Sequence, residues 1–116
     1  KGVVDVIVTV MDKDLIQHYI NIASDLRANG VNTDLYVGNP KDFGKQMKYA
    51  DSRDAAFAIV AGTNELKDNI VQVKDLKLGR KLSADISSNE EWKEQPAQFP
   101  VKREELTKKI LELLRS

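Results

Sequence analysis

The chain has 116 residues, 41% of them hydrophobic, a length and apolar share that build one compact domain and leave no room for two. Basic and acidic side chains balance at 18 each, so no overall field draws the molecule onto nucleic acid or a membrane, and any nucleic-acid contact must come from a local patch. Cysteine is absent and histidine occurs once, which excludes disulfide frameworks and thiol catalysis, leaves no expected metal site, and agrees with a reducing, cytoplasmic setting.

The longest apolar run, Val3 to Val10, is interrupted by Asp5 and Thr9 and falls well short of the roughly 20 residues a membrane span needs. The start does not read as a signal peptide, and because Lys1 is not a methionine the chain is expected to be a piece of a longer one. Val3, Val4, Val6, Ile7, Val8 and Val10 are nearly all β-branched, the pattern of a central strand covered on both faces. From the candidate N-cap Asp12, the residues Leu15, Ile16, Tyr19, Ile20, Ala23 and Leu26 recur at helical spacing until Asn29-Gly30 supplies a stop. Val31 to Val37 predicts a second strand, Gly38-Asn39-Pro40 breaks it, and Phe43, Met47 and Ala50 mark a second helix. Ala55 to Ala61 reads as the third strand. Three strands joined by two helices imply right-handed crossovers, parallel pairing and an α/β class.

Beyond Gly62 the pattern changes. In Ile70 to Asp75, Val71 and Val73 point one way while Gln72 and Lys74 point the other, so this strand keeps a polar face. Leu78, Leu82 and Ile86 predict a short amphipathic helix, followed by a looser stretch around Trp92 and Pro96 in which Trp92 is expected to anchor packing. Ala97 to Val101 predicts a short last strand, and Leu106, Ile110, Leu113 and Leu114 give the closing helix an apolar stripe.

Phosphate-cradling loops need closely spaced glycines between a strand and a helix, whereas here the first strand runs into Met11-Asp12-Lys13-Asp14. Asp12 and Asp14 sit where open α/β sheets bind ligands and could hold magnesium, but capping and compensation of the helix dipole explain them more simply. His18 has no second histidine or cysteine to complete a catalytic or metal constellation and is expected on the surface. The serines lack a base at a suggestive spacing, so no catalytic residue is expected.

Charge is uneven along the chain: residues 1–38 hold three basic and five acidic side chains, 39–82 nine and six, and 83–116 six and seven. In the positive middle third, Lys41, Lys45, Lys48 and Lys74 are interleaved with Asn39, Gln46, Gln72 and Glu65, groups able to hydrogen-bond base edges. Such a mixture suits unpaired bases better than duplex backbone, although taken alone a solvated helix face is the simpler account of the lysines.

The runs Leu35-Tyr36-Val37-Gly38-Asn39-Pro40-Lys41, Phe43-Gly44-Lys45-Gln46-Met47-Lys48-Tyr49-Ala50-Asp51, Ala58-Ile59-Val60-Ala61-Gly62 with Glu65, and Val71-Gln72-Val73-Lys74-Asp75-Leu76 resemble the anticodon-binding domain of class II aminoacyl-tRNA synthetases, and within that family the histidyl enzymes. The resemblance covers nearly the whole chain. It implies a mixed five-stranded sheet flanked by helices, with residues 1–116 forming one domain of a longer protein and about 77–96 a helical insertion of the kind found in some bacterial histidyl enzymes. It implies recognition of the histidine tRNA anticodon stem-loop through Asn39, Lys41, Glu65 and Lys74, with Gln72, Gln46 and Lys45 as further candidates. By the same resemblance this domain needs no cofactor, while the parent is a cytoplasmic homodimeric ligase whose catalytic domain uses ATP and magnesium. Neither membrane nor DNA is an expected partner. The rival reading is a non-enzymatic sensor, dimerisation or accessory module of the same shape.

Overall fold

The computed structural model describes residues 4–36, 42–77 and 98–115, and these form a five-stranded sheet with helices on both faces. In chain order they are β1 (Val6–Val8), α1 (Ile16–Ala28), β2 (Thr33–Leu35), α2 (Phe43–Ser52), β3 (Phe57–Val60), α3 (Thr63–Lys67), β4 (Ile70–Asp75), β5 (Gln98–Lys102) and α4 (Leu106–Arg115). The spatial order is β2-β1-β3-β4-β5, with β1 parallel to both neighbours and β4 antiparallel to β3 and β5. The sheet is therefore mixed: the parallel part is the α/β unit expected from the first half of the chain, and an antiparallel pair extends it. The predicted helix through Leu78, Leu82 and Ile86, the segment around Trp92, and Asn39 and Lys41 lie outside the described residues.

The β-branched run places β1 under cover from both sides. Val6 and Val8 join the larger core with Tyr19, Ile22 and Leu26 of α1 and Leu106 and Ile110 of α4, while Ile7 faces a smaller cluster with Ala50 of α2, Ala55 and Ala58. Asp12 caps the turn that leads into α1, its Oδ1 accepting from the Asp14 backbone N–H at 2.9 Å, so the aspartate serves the helix start. Gly30 ends the helix with a φ of +85°, the left-handed conformation that a side chain disfavours.

The apolar stripe of α1 is rotated relative to the one its sequence suggests. Tyr19, Ile22, Ala23 and Leu26, at the i, i+3, i+4, i+7 positions, are buried, whereas Ile16 and Ile20 are each 39% exposed. An ion pair also ties α1 to the β5–α4 joint. Arg103 Nη2 donates to Asp25 Oδ2 at 2.7 Å while its backbone N–H donates to the Asn69 carbonyl at 2.8 Å.

Candidate nucleic-acid interface

Alternation along β4 divides its side chains between the two faces. Val71 and Val73 are fully buried beneath α1 and α4, so Gln72 and Lys74 project from the opposite face. Register extends that face across the sheet: Lys74 lies opposite Ala58 and Gln98, Gln72 opposite Val60 and Pro100, and Ile70 opposite Lys102. On the same face α2 covers the β2-β1-β3 half, through Ala50 against Ile7 and Ala58 and through the Tyr49 hydroxyl on Asp34. On the β4–β5 half of this face Gln72 and Lys74 are half-buried and Gln98, Pro100 and Lys102 are exposed. The result is a shelf beside α2, floored by two lysines and two glutamines. Lys74 Nζ is 3.4 Å from Gln98 Oε1, a long contact that leaves the ammonium free to turn toward a ligand.

Gln98 and Lys102 were not among the residues singled out from sequence. Their signal was available in the alternation Gln98-Phe99-Pro100-Val101-Lys102, in which Phe99 and Val101 pack on the core and the other three face outward.

The crevice at the carboxyl ends of β1 and β3, where open α/β sheets receive phosphates, is closed by the chain's own side chains. The Val10 N–H donates to Gln46 Oε1 at 2.8 Å, and Gln46 Nε2 donates to the Val10 carbonyl at 2.7 Å. Thr9 Oγ1 donates to the Ile59 carbonyl at 2.7 Å, and the Tyr19 hydroxyl to the Ala61 carbonyl at 2.6 Å. The Gly62 N–H donates to Glu65 Oε1 at 2.8 Å. These backbone groups are satisfied within the domain. No group of three or more metal-ligating side chains occurs among the described residues.

This arrangement corrects the expectation for Gln46. Its side chain is 0% exposed and both ends of its amide are used on Val10, so it ties α2 to β1 and presents nothing to a ligand. Lys45, next to it, is 74% exposed and 4.0 Å from Asp42, whose Oδ1 caps α2 by accepting from the Lys45 N–H. Glu65 stands at the end of the sheet instead of on the shelf, with one carboxylate oxygen held by Gly62 and the other unpartnered among the described residues. A Cβ added at Gly62 would lie 3.2 Å from Glu65 Oε1, so the glycine permits this close approach. Replacing Glu65 with alanine removes the cap and is expected to lower stability by about 0.5–1 kcal/mol in urea unfolding, whereas Glu65→Gln keeps an acceptor and most of that stability.

Burial raises the Tyr19 phenol above its ordinary value of 10.0. The unfolded chain then loses this proton first, so stability is intact below about pH 10 and declines as pH rises through the folded value. Tyr19→Phe, which strands the Ala61 carbonyl, is expected to cost about 1 kcal/mol near neutral pH, with the gap to wild type narrowing in alkaline unfolding curves.

A groove of about 440 Å³ lined by Asn29, Glu104, Lys108, Glu112 and Arg115 lies between the end of α1 and α4, on the face away from the shelf. Its two carboxylates and two cations select no single ligand charge.

The family described as "Anticodon binding domain" matches residues 4–113. Histidine–tRNA ligases from Paracoccus denitrificans and a Ruegeria species are 49% and 47% identical over 109 residues, covering 94% of this chain and 22% of each relative. The chain thus spans about a fifth of the length of these relatives. The crystal structure of histidyl-tRNA synthetase from Nostoc sp. PCC 7120 superposes with a TM-score of 0.77 at 23% identity, covering 96% of this chain and 22% of that one. The apo enzyme of S. aureus gives 0.72 at 23% identity, covering 95% and 24%. These two share the five-stranded fold. With the family match running through every described element from β1 into α4, the chain belongs to the anticodon-binding-domain family.

Proposed function

We propose that the chain is the anticodon-binding domain of a histidine–tRNA ligase, holding the anticodon stem-loop of histidine tRNA for a catalytic domain elsewhere in the same protein. The observation that carries this reading is the row of Gln72, Lys74, Gln98 and Lys102 on one side of β4–β5, beside α2. Lysine ammonium groups supply charge-assisted donors to phosphates and base acceptors, and glutamine amides both donate and accept, which suits the edges of unpaired bases. The second oxygen of Glu65 extends the polar set toward the carboxyl end of the sheet, and Asn39 and Lys41, between β2 and α2 in sequence, are further candidates for the same role. The side chains here bind and orient RNA. ATP- and magnesium-dependent charging belongs to the catalytic domain of a cytoplasmic homodimer, the assembly this reading assigns to the parent.

The test is binding of the chain to a histidine anticodon stem-loop and to a variant with the middle anticodon base changed, at low and moderate salt. Preference for the cognate loop is expected at both. Equal or absent binding by a folded chain overturns the reading in favour of a scaffold or dimerisation module.

A further inference from the structure

Tyr36 follows β2 directly, and its N–H continues the parallel ladder by donating to the Val8 carbonyl at 3.0 Å. Two residues on from Asp34, it shares that residue's face of the sheet, the face that carries the shelf. Both side chains meet Tyr49 of α2. The Tyr49 hydroxyl donates to Asp34 Oδ2 at 2.6 Å, Arg53 Nη1 lies 3.8 Å from the same oxygen, and the guanidinium carbon sits 5.8 Å from the Tyr49 ring centre. The Tyr36 ring meets that braced ring at 5.7 Å between centroids and 68° between planes, an edge-to-face contact that fixes its orientation.

A core role does not account for Tyr36. It belongs to neither hydrophobic cluster, although Leu35 before it and Tyr49 beside it pack against one each. Among the described residues its hydroxyl makes no hydrogen bond. Lys45, one helical turn before Tyr49 on α2, is exposed beside this aromatic pair. A partly exposed ring held in one orientation, with an exposed lysine close by, matches what unpaired bases need: a flat apolar surface and a cation for the phosphate.

We infer that Tyr36 is a stacking platform for an unpaired base of the bound RNA, a role that rests on the anticodon-binding reading and places a contact on the β2 side of α2. Across the sheet, β2 and β4 are three strand spacings apart, about 14 Å, so an RNA loop reaching both flanks of α2 would be gripped at two separated points.

The experiment pairs each unpaired base of the histidine anticodon stem-loop, replaced singly by an abasic site, with wild type, Tyr36→Phe and Tyr36→Leu. Tyr36→Phe keeps the ring and is expected to bind within about two-fold of wild type, whereas Tyr36→Leu loses on the order of ten-fold. At one loop position the abasic RNA should weaken wild type but cause no further loss in Tyr36→Leu, which names the stacked base. Independently of variant folding, the Tyr36 ring protons of wild type, identified by their loss in Tyr36→Phe, should move upfield when the intact stem-loop is added. Unchanged ring resonances during saturable binding overturn the inference, as does a Tyr36→Leu loss that adds equally to every abasic position. Failure of wild type to bind any stem-loop overturns the anticodon-binding reading itself, and the two failures are distinct.

Discussion

Replacing Gln46 with alanine is expected to lower the unfolding free energy by about 2–4 kcal/mol, because two buried backbone groups lose their partner at once and each such loss costs about 1–3 kcal/mol. Val10 is 4% exposed, and its N–H and carbonyl are both held by the Gln46 amide at the end of β1. Water cannot replace that amide without opening the joint between β1 and α2. Gln46→Glu separates the two bonds: a carboxylate accepts from the Val10 N–H but repels the Val10 carbonyl, so this variant should be less stable at neutral pH and recover as the carboxyl is protonated. Folding raises the pKa of that introduced acid, which makes the variant's deficit small in acid and larger as pH rises. Urea titrations at neutral and mildly acidic pH measure both effects. A residue that touched RNA from the surface would give no change in stability in either variant, and that result would return Gln46 to the binding set.

Gln46 also marks where reading the sequence stops. Its neighbours Lys45 and Lys48 are exposed, and a glutamine between lysines carries no local sign of burial. Only the tertiary position of β1 shows that its amide meets a strand end with two unsatisfied groups. The rotation of α1 has the same character. Ile16 and Ile20 fit a helical apolar stripe as well as Ile22 does, and the choice is made by what α1 packs against. Strand alternation was more informative. β4 spans Ile70–Asp75 as expected, with Gln72 and Lys74 on the polar face, because a period of two leaves no other phase once Val71 and Val73 are inside. The mixed sheet was expected from the family resemblance, whereas periodicity alone gives the parallel unit of β1, β2 and β3. The antiparallel return of β4 depends on the turn through Asn69, whose φ of +61° lets the chain reverse after a helix of five residues.

Lys74 and Lys102 should be separable from Gln72 by the salt dependence of RNA binding. Each lysine that neutralises a phosphate of a single strand contributes about 0.7 to the slope of log K against log salt. Lys74→Ala and Lys102→Ala are therefore expected to weaken stem-loop binding at low salt and to flatten that slope by about this amount each, with affinities converging on wild type as salt rises. Gln72 carries no charge and should leave the slope unchanged. Its replacement by alanine is expected to cost about 1–3 kcal/mol of discrimination between the cognate loop and a base variant, in the range of a good base-edge contact. The three side chains lie on one face across two paired strands, with β5 extending the shelf past Lys74. If Lys102→Ala flattens the slope, β5 is part of the RNA surface; if only Lys74→Ala does, the RNA stops at β4. Neither lysine affecting the slope would remove the shelf as the binding face, whatever the affinity of the chain for RNA.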